Sequence, residues 1–262
     1  MSSKRLPLLV VALLAVTAGC SFLGPNPDSY TSTHDYTVGL AVGASVTDVT
    51  IRVPAPQLDG AAAVDATTVA PNGTVDGAFD AELVETEYGP MLELTADSVS
   101  VQPRYYRFVE ADGMGRREEI SESEYEPSNP NHQKVDRRSV GITVTRPAEY
   151  PIETRTPVGA APTFYADGAV TRELVACALP YGDESACFGY DAPVYLSYDT
   201  DGDAHVAGSV TFTGSNEWFT GGWTGNSYYD RVQFNATGSQ DGWASGDGYT
   251  ETGRGRYPAP EA

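Results

Sequence analysis

Apolar residues recur at every second position through most of the chain. Tyr36, Val38, Leu40 and Val42 alternate with polar or small neighbours, and Val49, Ile51 and Val53 do the same before Pro54-Ala55-Pro56 stops the run. Further runs hold Phe79, Ala81 and Leu83; Leu92, Leu94 and Ala96; Val140, Ile142 and Val144; Val194, Leu196 and Tyr198; Val206, Val210 and Phe212; and Val232, Phe234 and Ala236. Successive side chains of a strand point to opposite faces, so a period of two marks a sheet with one buried face. Gly, Pro, Asn and Asp fill the gaps, which is turn chemistry between short antiparallel strands. No segment carries the 3.6-residue period of an amphipathic helix of ordinary length. The pattern predicts an all-β fold, an antiparallel β-sandwich-like ectodomain.

Two stretches interrupt the alternation. Residues 110–138 are highly charged, with Glu118, Glu119, Glu122, Glu124 and Glu126 followed by Ser128-Asn129-Pro130-Asn131. This composition predicts an exposed loop or partly disordered insertion. Prolines 147, 151, 157 and 162 make a second break. It predicts a Pro-rich connection over 151–162 between an N-terminal β-rich region (34–150) and a C-terminal one (163–257), with 258–262 as a tail. No period of 20–50 residues repeats.

The chain opens with Lys4-Arg5, an apolar run from Leu6 to Val16, and then Thr17-Ala18-Gly19-Cys20. A basic start, a short apolar stretch and small residues at its end are the layout of an export signal. The run is shorter than the ~20 apolar residues that a membrane span needs. Residues 1–19 therefore read as a processed signal peptide. Ala18-Gly19-Cys20 resembles the lipobox of bacterial and archaeal lipoproteins, with Thr17 standing where leucine is usual. The resemblance implies that Cys20 is lipidated, becomes the first residue of the mature chain, and anchors it to the extracellular face of the cell membrane. Residues 20–33, with Gly24, Pro25, Asn26, Pro27 and several Ser and Thr, have the composition of a flexible tether.

Charge changes the picture further. Asp and Glu number 36 against 16 Lys and Arg, a formal charge of −20. Losing Lys4 and Arg5 with the signal takes it to −22 and leaves Lys134 as the only lysine. Such an excess repels itself in dilute salt and is tolerated when molar salt shrinks the Debye length to ~3 Å. Acid-rich, lysine-poor chains resemble those of salt-loving archaea. The same charge excludes nucleic-acid binding, which needs a basic footprint, and disfavours electrostatic attraction to anionic lipid. More loosely, Val84-Glu85-Thr86-Glu87-Tyr88-Gly89-Pro90-Met91-Leu92, Gly221-Gly222-Trp223 and Gly238-Ser239-Gln240-Asp241-Gly242-Trp243 resemble segments of uncharacterised haloarchaeal surface lipoproteins. That resemblance implies an address and no activity.

With Cys20 taken by lipid, Cys177 and Cys187 remain as a pair, separated by a stretch whose Pro180 and Gly182 allow a reversal. In an exported chain they predict a structural disulfide. Asn72-Gly73-Thr74 and Asn235-Ala236-Thr237 are glycosylation sequons, Asn72 in a turn-like setting and Asn235 within a predicted strand.

Few motifs carry chemistry. Asp199-Thr200-Asp201-Gly202-Asp203 supplies alternating carboxylates, but Ala204 and Val210 stand where an EF-hand needs glycine and glutamate. The segment predicts a hairpin turn at Asp201-Gly202, with Asp199, Asp201 and Asp203 as a weak cation candidate. His34, His132 and His205 are dispersed, with no local metal spacing. Neither a phosphate-binding loop nor a nucleophile elbow is present, and no cofactor is implied. Trp218, Phe219, Trp223, Tyr228 and Tyr229 form a dense aromatic stretch. Such rings either fill a β core or present a surface that stacks on sugars or anchors a partner. The sequence therefore points to a non-enzymatic, lipid-anchored envelope module that binds an envelope protein or surface glycan through this stretch. A secreted hydrolase with a site assembled only by folding is the alternative, and a solute-binding lipoprotein the remoter one.

Overall fold

The alternating runs become strands in register. A computed structural model of the chain describes residues 29–64, 79–111, 114–149, 151–177 and 184–257. Cys20, Asn72, the signal segment 1–19 and the tail 258–262 lie outside the described residues. The strands are β1 (Thr31–Val42), β2 (Val46–Pro54), β3 (Gln57–Leu58), β4 (Ala61–Ala62), β5 (Asp80–Thr86), β6 (Gly89–Val99), β7 (Arg104–Ala111), β8 (Met114–Ile120), β9 (His132–Val135), β10 (Arg138–Pro147), β11 (Glu173–Val175), β12 (Ala186–Asp199), β13 (His205–Phe219), β14 (Trp223–Thr237) and β15 (Gln240–Gly255). β1 begins at Thr31, so the strand starts inside the 20–33 span expected as tether. No helix among the described residues is long and apolar enough to cross a membrane.

Ten strands form one antiparallel sheet, in the order β10-β1-β13-β14-β15-β12-β2-β6-β5 with β11 paired to β12, curled into a half-barrel. The all-β expectation holds. Regions 34–150 and 163–257 do not make separate sheets: β1 lies between β10 and β13, and β2 between β12 and β6. Register explains the burial. Tyr36 stands opposite Val144 and Phe212, and Val38 opposite Ile142 and Val210, so one face of neighbouring strands is continuously apolar. These side chains are almost fully buried and belong to one core cluster, each worth roughly 1.5–3 kcal/mol against exposure. Buried rings lie flat across glycines directly opposite: Phe234 on Gly208, Tyr228 on Gly214 and Tyr190 on Gly248.

The proline-rich segment is not a linker between domains. It crosses the buried face of the sheet, and Ile152, Ala161, Phe164 and Tyr165 enter the core. Prolines lack a backbone donor, so side chains share with a few backbone bonds in holding the strap. The Asn216 side chain accepts from the Ile152 N–H and donates to its carbonyl, both at 2.9 Å. Gln57 exchanges backbone bonds with Thr163 and donates to the Phe164 carbonyl at 3.1 Å. Asp230, wholly buried, accepts from the Phe164 N–H (3.0 Å), the Tyr190 hydroxyl (2.7 Å) and the Thr250 hydroxyl (3.0 Å). Burial raises its carboxyl above the ordinary value, and those hydrogen bonds oppose the rise.

Residues 110–138, expected as a charged loop, hold β8 and β9. With β7 these form a separate three-stranded antiparallel sheet in the order β8-β7-β9. Its ladders carry charged and aromatic residues on both faces, which removes the apolar alternation that reveals a half-buried strand. Asp201-Gly202 also departs from expectation. β12 and β13 do not pair, because β15 and β14 lie between them. The 200–204 link runs over the β14–β15 turn, where the Thr200 N–H donates to Ser239 and the Gly238 N–H to the Ala204 carbonyl.

Candidate functional site

The aromatic stretch divides by strand parity. Trp218 and Tyr228 fall on the buried face, at 3% and 0% exposure. Trp218 packs against Tyr30 at 5.7 Å, and the Tyr228 hydroxyl donates to the Pro162 carbonyl beneath the strap. These two are core residues, not part of a binding surface. Phe219 and Trp223 point the other way and are 41% and 68% exposed. They are the last directly opposed pair of the β13–β14 ladder, with rings edge-to-face at 5.9 Å. The three residues between them turn at Gly221, whose φ of +77° favours glycine. Tyr229, half-buried, lies on the same outer face farther along β14, with the Arg254 guanidinium 5.5 Å above its ring.

Two features surround the exposed pair. An open groove of about 280 Å³ beside Trp223 is lined by Ser215, Glu217, Thr224 and Ser227. On the other side the chain enters the sheet: the Phe219 N–H donates to the Ser29 hydroxyl at 2.8 Å. Below, an asparagine relay joins the strap to the tip. Asn216 receives from Ser32 and donates to Asn226, which in turn accepts from Thr154, each at 2.8–2.9 Å. Thr154 also hydrogen-bonds Tyr257 at 2.8 Å, and the Arg155 guanidinium stacks 3.8 Å from that ring and pairs with Glu184. The tip is therefore an exposed aromatic pair above a chain of hydrogen-bonded side chains.

Cys177 and Cys187 form the expected disulfide, with their Cα atoms 5.3 Å apart. It ties the segment after β11 to the start of β12, and a loop of this size contributes about 2–3 kcal/mol. The Tyr249 hydroxyl reaches Cys187 Sγ at 2.9 Å. Asn235 is exposed on β14. Asp199, Asp201 and Asp203 are exposed, and no group of three or more His, Cys, Asp or Glu among the described residues could hold a metal ion.

The histidines do not converge. His34 packs on Phe212 at 5.3 Å, and burial lowers its pKa against the pull of Asp35. His132 stacks on Tyr125 in the small sheet. His205 and Asp247 line one shallow depression of about 670 Å³. Yet His205 pairs with Thr237 and Asp247 with Gln233, four positions apart on β14, or about 13 Å along a strand. They form no acid–base pair.

A second aromatic surface went unread in the sequence. Tyr195 stands directly opposite both Trp243 and Arg52, and Arg52 opposite Glu93. Trp243 contacts Tyr195 and Tyr88 edge-to-face, Arg52 stacks 4.6 Å over Tyr195, and Arg52 binds Glu93 at 2.5 Å. The available signal was an aromatic residue at the polar phase of two strands, Tyr195 beside Leu196 and Trp243 beside Ala244. Comparison of the chain with protein-family models, with characterised proteins and with solved structures finds no match.

Proposed function

We propose that the protein is an exported, lipid-anchored cell-surface protein whose β-rich ectodomain is a non-enzymatic interaction module of the envelope. The anchor is a lipid on Cys20 and the contact is the β13–β14 tip. The observation that carries this reading is the exposure of Phe219 and Trp223 at the point where Ser29 leads the chain into the sheet. Two exposed aromatic rings in contact make an apolar patch of the kind that marks interaction sites. The separation of His205 from Asp247 and the scattered histidines offer nothing to the hydrolase reading.

Extractive mass spectrometry of the native protein, combined with membrane fractionation, tests the anchor. A mature chain beginning at lipidated Cys20, released from membranes by Cys20→Ser, is the expected result. An unmodified N-terminus ends the anchor reading. Crosslinking in high salt tests the tip: Phe219→Ala/Trp223→Ala should lose the contacts of the wild type while remaining folded.

A further inference from the structure

The tip that carries Phe219 and Trp223 lies where the N-terminal chain arrives. Ser29 is hydrogen-bonded to the Phe219 N–H and Tyr30 packs on Trp218. Nine positions separate Cys20 from Ser29; at ~3.5 Å each they reach at most about 30 Å. A lipid on Cys20 therefore keeps this end of the sheet within about 30 Å of the bilayer, and Phe219 and Trp223 are large apolar side chains exposed at its tip.

Acidic residues are sparse on the two strands that form the tip, while the strap beneath it brings exposed Glu153 between Ile152 and Thr154. A protein with 36 acidic residues places only Glu217 and the buried Asp230 on β13 and β14, and none in the turn between them. The end of β15 meets this tip, since the Arg256 N–H donates to the Gly225 carbonyl, and it brings exposed Arg256 alongside. Tryptophan and phenylalanine favour the water–bilayer boundary, and arginine suits its phosphates. The excursion that holds β7, β8 and β9 leaves from Val99 and returns at Arg138, which pairs with Val42 at the far end of β1. The charged small sheet is thus at the opposite end from the tip.

We infer that the partner of the Phe219–Trp223 tip is the headgroup layer of the very membrane that holds the Cys20 lipid, so that the ectodomain stands end-on upon it. This rests on the Cys20 anchor proposed above and names the contact of the same site. The chain's acidic excess repels an anionic bilayer, so the attraction is apolar and persists in molar salt, where that repulsion is screened.

The test uses the full-length protein with its native N-terminus, reconstituted into dioleoyl phosphatidylcholine vesicles that contain brominated acyl chains, in molar potassium chloride. Tryptophan quenching by the bromines should fall at least twofold in Trp223→Phe and stay unchanged in Trp243→Phe, whose ring lies on the other aromatic surface. Equal quenching in wild type and Trp223→Phe, or full access of Trp223 to aqueous iodide, overturns the membrane contact whatever Cys20 carries. Protection of Trp223 from iodide by an envelope glycan or protein, with no quenching by brominated lipid, overturns it in favour of that partner. The mass of the N-terminal peptide is read on the same sample. Quenching of Trp223 in a protein with unmodified Cys20 upholds the contact and ends the anchor reading alone.

Discussion

The main sheet and the β7–β9 sheet use the same antiparallel ladder with different supports. In the main sheet one face is dry: Tyr36, Val38, Ile142, Val210 and Phe212 share a core, and a strap from another part of the chain seals it. In the small sheet both faces meet solvent. One face stacks Tyr106 between the guanidiniums of Arg117 (4.3 Å) and Arg104 (5.4 Å). The other joins Glu118 to Arg107 and Arg116, and Tyr105 to Tyr125 and Glu122. Its buried apolar side chains, Tyr106 and Ile120, belong to no part of the main core, while Phe108 and Met114 stay exposed. Pairing alone fixes strands; burial fixes how firmly they stay.

The comparison breaks most severely at Asp230. Asp230→Ala strands three buried donors, each costing about 1–3 kcal/mol, so the main sheet should lose several kcal/mol in urea unfolding. Far smaller loss would show that the strap is not held there. Asp230→Asn keeps one acceptor oxygen and should cost less. It also exposes a pH dependence. Burial raises the Asp230 carboxyl in the folded chain, so its contribution is fully present below the unfolded value of about 3.9 and is lost as pH rises through the raised folded value. The stability advantage of wild type over Asp230→Asn should therefore shrink from pH 4 to pH 7, and urea midpoints at the two values check it.

Glycines give the next contrast. A side chain at Gly214 would enter the Tyr228 ring, whereas one at Gly115 in β8 meets nothing within 4 Å. Gly214→Val should cost about 2–3 kcal/mol through overpacking. Gly115→Ala should be neutral or slightly stabilising, because it only narrows the unfolded ensemble. Paired thermal melts of the two variants read this directly.

The smallest effect concerns the small sheet alone. Tyr106→Ala should abolish amide protection over 104–135 and leave the main unfolding midpoint unchanged, as followed by hydrogen exchange. In the wild type, raising salt from about 0.1 M to about 3 M should slow exchange in β5 and β6, where Glu82 stands opposite Glu93 and screening relieves self-repulsion, but not in β7–β9, whose ion pairs are screened as well. Uniform slowing would mean that the two sheets share one cooperative unit.

The same contrast explains what the chain discloses before folding. Tyr36 to Val42 and Val140 to Val144 announce strands because each alternate residue must leave water. Met114 to Ile120 and His132 to Val135 make equally real strands with no such requirement, so charge hid them. Prolines 151, 157 and 162 resembled a linker because proline ends ladders; the groups that bind the strap, Asn216, Asp230 and Gln57, lie far away in sequence. Two facts about the aromatic stretch came from parity: once the register of β13 is known, Trp218 must be inside and Phe219 outside. The Cys177–Cys187 bridge was readable because few alternatives remained for two cysteines. Tyr195 and Trp243 were not, since only the crossing of β12 and β15 makes them neighbours.

The position of β1 has a consequence for the order in which the chain can assemble. Thr31 waits for Glu217 and Val42 for Val206, while β2 waits for β12. At a synthesis rate of about 5–20 residues per second, the first strand spends roughly ten to forty seconds with one flank unmatched. Its only earlier neighbour, β10, is an outermost strand of the finished sheet. The half-barrel is therefore closed from its end backwards, and a chain shortened before β13 would display β1 as a bare template for the next copy it met.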